Sequence, residues 1–567
     1  MSEQETSLGL TKWQLGLLIG VPVAVVTVAG VIWYLNSSDD ANEELQEDVG
    51  AAKIPDKEPS KPKEDKDEVE NMTPAEKAQA AKLKGNKYFK ARRFTDAIKC
   101  YSEAIELCPE ENKADLSTFY QNRAAAFEQM GQFENVINEA SKALELNNRY
   151  TKALMRRARA YEQQGKKEEC LQDLTAVCLL EGFNNPDWMV HADRVLKSIG
   201  KEKASTHFKN RKPVIPSSVS IKAYLDSYSQ DDMLSDSVRN EEGVTADMPF
   251  ILALDDIKER NFDNIVVYCT QEIGRGEDSP FYAKAVALRA TMYTLMSQID
   301  DAMCDLDEVI NMNDDKASIK LKINCLLKRA SLKAQQGTLD NDVESDFQTA
   351  ITLDSTNSDI YHQRGLIYFL TEKLEDARLD FEKCIELNPD FVQAKIQLAY
   401  CIYKKAQIMQ SPTLARGAME EFERISKDHP DSPDALGLHA QALQEQGQFE
   451  DAMEKYEAAH KIQPENPVHL VYKGLLMVQW KQDFEKAVEL VQSAIDLDKK
   501  CDFAYETLAT LEVQRGNLDK AVELFDQALL LVRTEAEMAQ TYALREAAIA
   551  QNYVTNKMGI KPNIFMG

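Results

Sequence analysis

The sequence lacks the common signatures of a catalyst. No C-x-x-C pair occurs among its ten cysteines, and its seven histidines are scattered, which removes zinc, haem and dithiol redox motifs from consideration. No G-x-x-x-x-G-K-[ST] phosphate loop, no G-x-S-x-G, no H-E-x-x-H and no kinase motif set is present. Nucleotide-driven and hydrolytic chemistry therefore has no residues to run on. Basic charge is also short. The chain holds 67 Lys and Arg against 94 Asp and Glu, a formal net charge of −27, the wrong sign for a protein whose main partner is nucleic acid. Scattered, unpaired cysteines suit a reducing compartment. The expectation is a protein that is not an enzyme, with no cofactor, no metal and no nucleic-acid partner.

At 567 residues with 44% hydrophobic and 28% charged, the chain is too long for one ordinary core and too apolar to be wholly disordered. One apolar run stands out. After a short N-terminal segment (1–14), Leu15 to Leu35 gives 21 residues with only Thr27 polar, flanked by Trp13 and by Trp33 and Tyr34. About 20 such residues span a ~30 Å hydrocarbon layer, and the aromatics occupy interfacial positions. Glu3 and Glu5 precede the run and no clear small-residue cleavage site follows, so it reads as a retained anchor rather than a signal peptide. Charge bias places the N-terminus in the cytosol on the strength of Lys12 alone, whereas the cysteines favour a reducing environment for the bulk of the chain. The two indications disagree. Residues 36–74 follow with 13 Asp or Glu, 5 Lys and no aromatic residue over 36–73. Such a segment cannot bury enough apolar surface to offset ordering entropy, and a disordered acidic linker is expected.

Beyond residue 74 the chain repeats. Gly85, Tyr88, Ala97, Tyr101, Ala104 and Pro109 fall at relative positions 8, 11, 20, 24, 27 and 32, the tetratricopeptide (TPR) spacing. Small residues at 8, 20 and 27 let two antiparallel helices approach. Large residues at 11 and 24 fill the space between them, and proline ends the second helix. The frame recurs at Gly365, Tyr368, Ala377, Phe381, Cys384 and Pro389, and at Ala440, Ala452, Tyr456, Ala459 and Pro464, with looser copies elsewhere. About ten units result. The expected fold is all-α: a TPR superhelix of stacked helix-turn-helix repeats in two arrays, with an N-terminal transmembrane helix. The register breaks over 182–248, a connector containing Pro186, Pro213 and Pro216. It separates an N-terminal TPR domain (75–181, three repeats) from a C-terminal array (249–567, about seven).

The sharpest chemistry lies in the first three repeats. Lys82 and Asn86 are i, i+4 on one predicted helix, and so are Lys152 and Arg156 on another, so each pair shares a face. Asn122 and Arg156 are 34 residues apart, at equivalent positions in successive units. Five donor-rich side chains thus converge on one groove. The like charges of Lys152 and Arg156 repel by about 0.2–0.5 kcal/mol on an isolated helix, a cost that an anion in the groove would relieve. Two carboxylates on one ligand suit such a set of lysine, arginine and amide donors.

These five residues resemble the dicarboxylate clamp of co-chaperone TPR domains, and no clamp position departs from that pattern. The resemblance implies a partner: cytosolic heat-shock chaperones ending in Glu-Glu-Val-Asp. Lys82, Asn86 and Asn122 would take the terminal carboxylate. Lys152 and Arg156 would take the aspartate side chain and nearby backbone oxygens. Across nearly the whole chain, the order of anchor, charged spacer, clamp-bearing triplet, broken connector and long second array resembles the large TPR receptors of the outer mitochondrial membrane translocase, in their fungal form. That likeness implies a single-pass outer-membrane protein with its repeats in the cytosol. It also implies partners among the other translocase subunits, and cargo among hydrophobic mitochondrial preproteins without cleavable presequences, such as metabolite carriers, which pass on to the import pore. A chaperone-binding TPR adaptor anchored in another organelle membrane is the alternative; the long second array favours the import receptor. In that array Gln363, Gln397, Tyr400 and Tyr403 lie on first helices of repeats among apolar neighbours. They are expected to line an amphipathic preprotein groove.

Overall fold

The computed structural model describes residues 72–181, 185–230, 233–235, 239, 244–336 and 341–560. The expected anchor at Leu15–Leu35 and nearly all of the acidic linker lie outside them. No helix among the described residues is long and apolar enough to cross a membrane.

The described chain is helical throughout, as twenty-five α-helices. The first three hairpins are α1 (Pro74–Lys90) with α2 (Phe94–Leu107), α3 (Lys113–Gln129) with α4 (Phe133–Leu146), and α5 (Thr151–Gln163) with α6 (Lys167–Glu181). The connector is largely helical: α7 (Pro186–Phe208) and α8 (Ser218–Asp226). Eight further hairpins follow: α9 (Pro249–Lys258) with α10 (Ile265–Ile273), α11 (Tyr282–Leu295) with α12 (Ile299–Asn311), α13 (Ile319–Gln335) with α14 (Asn341–Leu353), and α15 (Ser358–Leu370) with α16 (Leu374–Leu387). Then come α17 (Val392–Ile408) with α18 (Pro412–Asp428), α19 (Pro433–Glu445) with α20 (Phe449–Ile462), α21 (Pro467–Lys481) with α22 (Phe484–Leu497), and α23 (Asp502–Gln514) with α24 (Leu518–Leu531). A last helix, α25 (Glu535–Asn552), runs into one π-helical turn, Tyr553–Lys557. The hairpin beyond the expected ten is α9–α10, whose short helices carry too few of the marker positions to register in the sequence.

Three features recur among the hairpins. The first is the small residue at position 8. A Cβ placed on Gly85 would lie 2.6 Å from the Tyr101 ring, and one on Gly365 would lie 2.9 Å from Phe381. The aromatic at position 24 thus packs directly on bare backbone. The second is an ion pair between the residue just before that small one and an acid on the second helix. Arg123–Glu139 (2.6 Å), Arg157–Asp173 (2.7 Å), Arg289–Asp305 (2.8 Å), Arg329–Asp346 (2.5 Å) and Arg364–Asp380 (2.7 Å) all follow it, each mostly shielded from solvent. The third is a left-handed residue seven positions after the small one, where the chain turns into the second helix. Glycine supplies it at 131, 165, 447 and 516; Arg92, Ser297 and Glu372 adopt it with φ of 57°, 58° and 59°.

The described chain forms two compact units: residues 204–541, and residues 72–203 together with 542–560. Residues 542–560 thus group with 72–203. Ala550 packs with Val195 and Ile199, and Lys203 pairs with Glu546 at 2.9 Å. Val554 and Ile560 bury against Leu154, Val177 and Leu179, and Asn148 donates to the Met558 carbonyl at 2.8 Å. Apolar residues of α6 and α7 need cover, and residues 542–560 provide part of it.

Gly85→Ala forces Tyr101 to move and is expected to lower stability by about 1–3 kcal/mol. Gly417→Ala, inside α18 with nothing within 4 Å of the added carbon, is expected to raise it by roughly 0.5–1 kcal/mol. Thermal unfolding of the two variants measures the contrast. Burial also pushes His362, His439 and His469 down to about 4, from an ordinary value near 6.5. Between these values the unfolded chain takes up protons that the folded one refuses. The contribution of these groups to stability is therefore lost as pH falls from about 6.5 to 4, with no further change below. His439→Gln is expected to flatten that fall of the unfolding midpoint.

Candidate functional site

Three first helices carry the donor set in the unit made of 72–203 and 542–560. Lys82 and Asn86 sit on α1, Asn122 on α3, and Lys152 and Arg156 on α5. Neighbouring first helices are tied side by side. Gln79 on α1 donates to Asp115 on α3 at 2.7 Å. From the α5 side, Tyr150 bonds Gln121 at 3.5 Å and Arg156 Nη1 reaches the Gln121 carbonyl at 3.5 Å. Lys82, Asn86, Asn122 and Arg156 are partly buried and Lys152 is exposed.

Each donor has its own local setting. The Tyr101 hydroxyl donates to Asn86 Oδ1 at 2.8 Å, and burial pushes that hydroxyl up to about 12, so it stays protonated. With its oxygen taken, the Asn86 amide is left with N–H groups to offer. Lys82, Asn122 and Lys152 form no ion pair or hydrogen bond with another described residue. Arg156 differs from the expectation of an open cation. Its Nε donates to Glu128 Oε2 at 2.7 Å, and both side chains are 18% exposed. Arg159 stands 3.9 Å from the other oxygen of the same carboxylate. Sequence reasoning passed over Glu128. Glu128 lies six residues after Asn122 on the same helix, about 240° around it, so helix periodicity gave no signal that it meets α5.

In the unit 204–541 the expected groove residues are covered. Gln363, Tyr400 and Tyr403 are 2%, 4% and 2% exposed, and Gln397 is 9% exposed. Gln363 Nε2 donates to the Ser227 carbonyl at 3.1 Å. Gln441 donates to the Tyr400 hydroxyl at 2.9 Å, and the Tyr403 hydroxyl reaches the Ala442 carbonyl at 3.4 Å. The four do not form an open trough: the connector meets Gln363 at Ser227, and the next first helix, α19, meets Tyr400 and Tyr403 through Gln441 and Ala442. Ser229 and the Gln230 backbone N–H donate to the two oxygens of Asp359 at 2.5 and 2.8 Å. Ile221, Tyr224, Tyr228 and Met233 join the array's core. The ammonium of Lys328, itself buried, lies 5.0 Å from the Tyr228 ring centre and donates to Thr291 at 2.7 Å. Beside α8 a cleft remains, lined by Lys222, Asp226, Arg260, Gln393, Asp434 and Glu465 among others. Its polar side chains are largely paired: Lys222–Asp226 at 2.6 Å, Arg260–Glu465 at 2.8 Å, and Gln393 donating to Asp434 at 3.2 Å. Burial pushes the Asp434 carboxyl up.

Models of the tetratricopeptide repeat match residues 358–391 and 414–467. The chain is 42% identical to the human mitochondrial import receptor subunit TOM70, over 98% of this chain and 94% of that protein. This chain belongs to the TOM70 family of mitochondrial import receptors. The rat TOM70 receptor is 45% identical over 87% of this chain and 82% of its own length. The yeast TOM70 receptor is 25% identical over 85% and 82%. The crystal structure of yeast Tom70 shares the fold, with a TM-score of 0.52 and 24% identity, covering 85% of this chain and 98% of that one. Identity to the mammalian receptors exceeds that to the yeast receptor, so the resemblance to the fungal form holds at the level of the family. A TOM70 receptor is a TPR import receptor and not an enzyme.

Gln363→Ala leaves the Ser227 carbonyl without its donor and is expected to destabilise the protein by about 1–3 kcal/mol. Thermal unfolding checks this; a side chain that only faced cargo would leave the midpoint where it is.

Proposed function

We propose that this receptor works at the outer mitochondrial membrane as a single-pass protein with its repeats in the cytosol. There it docks cytosolic heat-shock chaperones by their C-terminal Glu-Glu-Val-Asp and accepts hydrophobic preproteins without cleavable presequences. These are handed to other translocase subunits and the import pore. The observation that carries the docking step is the donor set on adjacent α1, α3 and α5. Lys82, Asn122 and Lys152 have no described acid to satisfy them, and Asn86 offers N–H groups while Tyr101 holds its oxygen. Charge-assisted bonds from such groups to two carboxylates are about twice as strong as neutral ones.

The preprotein is assigned to the unit 204–541, the larger array. Gln363, Gln397, Tyr400 and Tyr403 support that surface from beneath, since their side chains are buried. The cleft beside α8 is an opening in the same unit.

Isothermal calorimetry with a Glu-Glu-Val-Asp peptide tests the docking step. Lys82→Ala and Arg156→Ala are each expected to cost roughly 2–4 kcal/mol of peptide binding, and affinity is expected to fall with added salt. The same variants should still retain a denatured carrier protein in a pull-down. Unchanged peptide affinity would remove the clamp assignment, and equal loss of both activities would remove the separation of sites.

A further inference from the structure

We infer that Glu128 is a specificity-determining residue of the α1–α3–α5 groove: a resident carboxylate that occupies the Arg156 subsite until a ligand with two carboxylates replaces it. The inference rests on the dicarboxylate reading above and deepens it. Glu128 sits on α3, the helix that presents Asn122, and takes the Nε–H of Arg156 at 2.7 Å. Arg159 stands 3.9 Å from its second oxygen. The pair is largely shielded, each side chain 18% exposed, so its charges interact through a medium less screening than bulk water.

The guanidinium is only partly consumed. Glu128 holds Nε, and Nη1 reaches the Gln121 carbonyl only at the 3.5 Å limit of hydrogen bonding. Arginine carries five N–H donors, so an incoming carboxylate has an edge to bind. Until Glu128 is displaced, it does so with a second negative charge a few ångströms away. Glu128 therefore acts in two opposed ways. It fixes the direction of the Arg156 side chain, which helps any ligand by removing rotamer freedom. It also repels an anionic ligand, and at such separations and partial burial the repulsion is the larger effect. A peptide with one carboxylate gains too little at Arg156 to overcome it. A peptide with two also engages Lys82, Asn86 and Asn122, and those bonds carry the displacement. Threshold binding of this kind separates a C-terminal dicarboxylate from the single terminal carboxylate that every protein possesses.

The test is a double-mutant cycle by calorimetry on the full chain, using a Glu-Glu-Val-Asp peptide and the same peptide with its last aspartate changed to asparagine. Glu128→Gln keeps an acceptor for Arg156 Nε and removes the charge. It is expected to tighten the aspartate peptide by about three- to tenfold and, with the threshold against a single carboxylate removed, to narrow its advantage over the asparagine peptide. Part of the loss in Arg156→Ala comes from leaving Glu128 without its partner, so Arg156→Ala with Glu128→Gln is expected to recover several-fold of that loss. Equal or weaker affinity in Glu128→Gln would overturn the inference, as would a double variant no better than Arg156→Ala alone. Failure of the dicarboxylate reading itself looks different: wild-type protein that does not bind the peptide, or Lys82→Ala and Asn122→Ala that leave binding intact.

Discussion

How closely two helices can approach within a hairpin governs everything else in this molecule. A glycine or alanine at position 8 lets the aromatic ring at position 24 rest on helix backbone, as Tyr101 does on Gly85 and Phe381 on Gly365. That contact sets the angle at which each hairpin presents its first helix to the next. No hairpin buries its own face, so the angle propagates from repeat to repeat. The Arg–acid pairs fix the same geometry with charge, one residue before the close contact. Glu139, Asp173, Asp305, Asp346 and Asp380 are buried acids whose partners are built into the repeat. Breaking such a pair leaves a stranded charge, which is costlier than never having had one.

The donor groove is a by-product of that stacking. Lys82, Asn86, Asn122, Lys152 and Arg156 need no special backbone. They occupy first-helix positions that the repeat would otherwise give to ordinary polar residues, and the stacking places α1, α3 and α5 alongside each other. Their chemistry then depends on what the neighbours take away. Tyr101 occupies the oxygen of Asn86 and leaves a donor. Glu128 occupies part of Arg156 and leaves a cation under restraint. A helix face rich in positive charge is tuned by single acceptors beside it as much as by its own composition.

The connector shows what a solenoid does with an apolar face. Exposed, the first helices of the second array would present buried-type residues such as Tyr400, Tyr403 and Leu438 to water. Ile221, Tyr224, Tyr228 and Met233 of the connector join that array's core as buried side chains. Backbone groups of the segment are met by side chains of the array, Gln363 for the Ser227 carbonyl and Asp359 for the Gln230 N–H, because a strand of loop cannot enter a core with its polar groups unsatisfied. The same need for cover explains why residues 542–560 pack beside α6 and α7.

The repeat period, the all-helical class and the five donor positions were legible in the sequence because each depends on residue type at fixed spacing. Small, aromatic and proline residues recur where helix geometry demands them, and i, i+4 pairs share a face in any helix. Membership of an import-receptor family followed from the order of those parts. The short α9–α10 hairpin, the covering of Gln363, Gln397, Tyr400 and Tyr403, the packing of the C-terminal end and the Glu128–Arg156 bond were decided by tertiary structure. Each is a contact between segments with no fixed spacing to announce it. The physical reason is that local rules specify which face of a helix is apolar or charged, whereas which distant segment comes to lie on that face depends on the whole chain satisfying its buried groups at once.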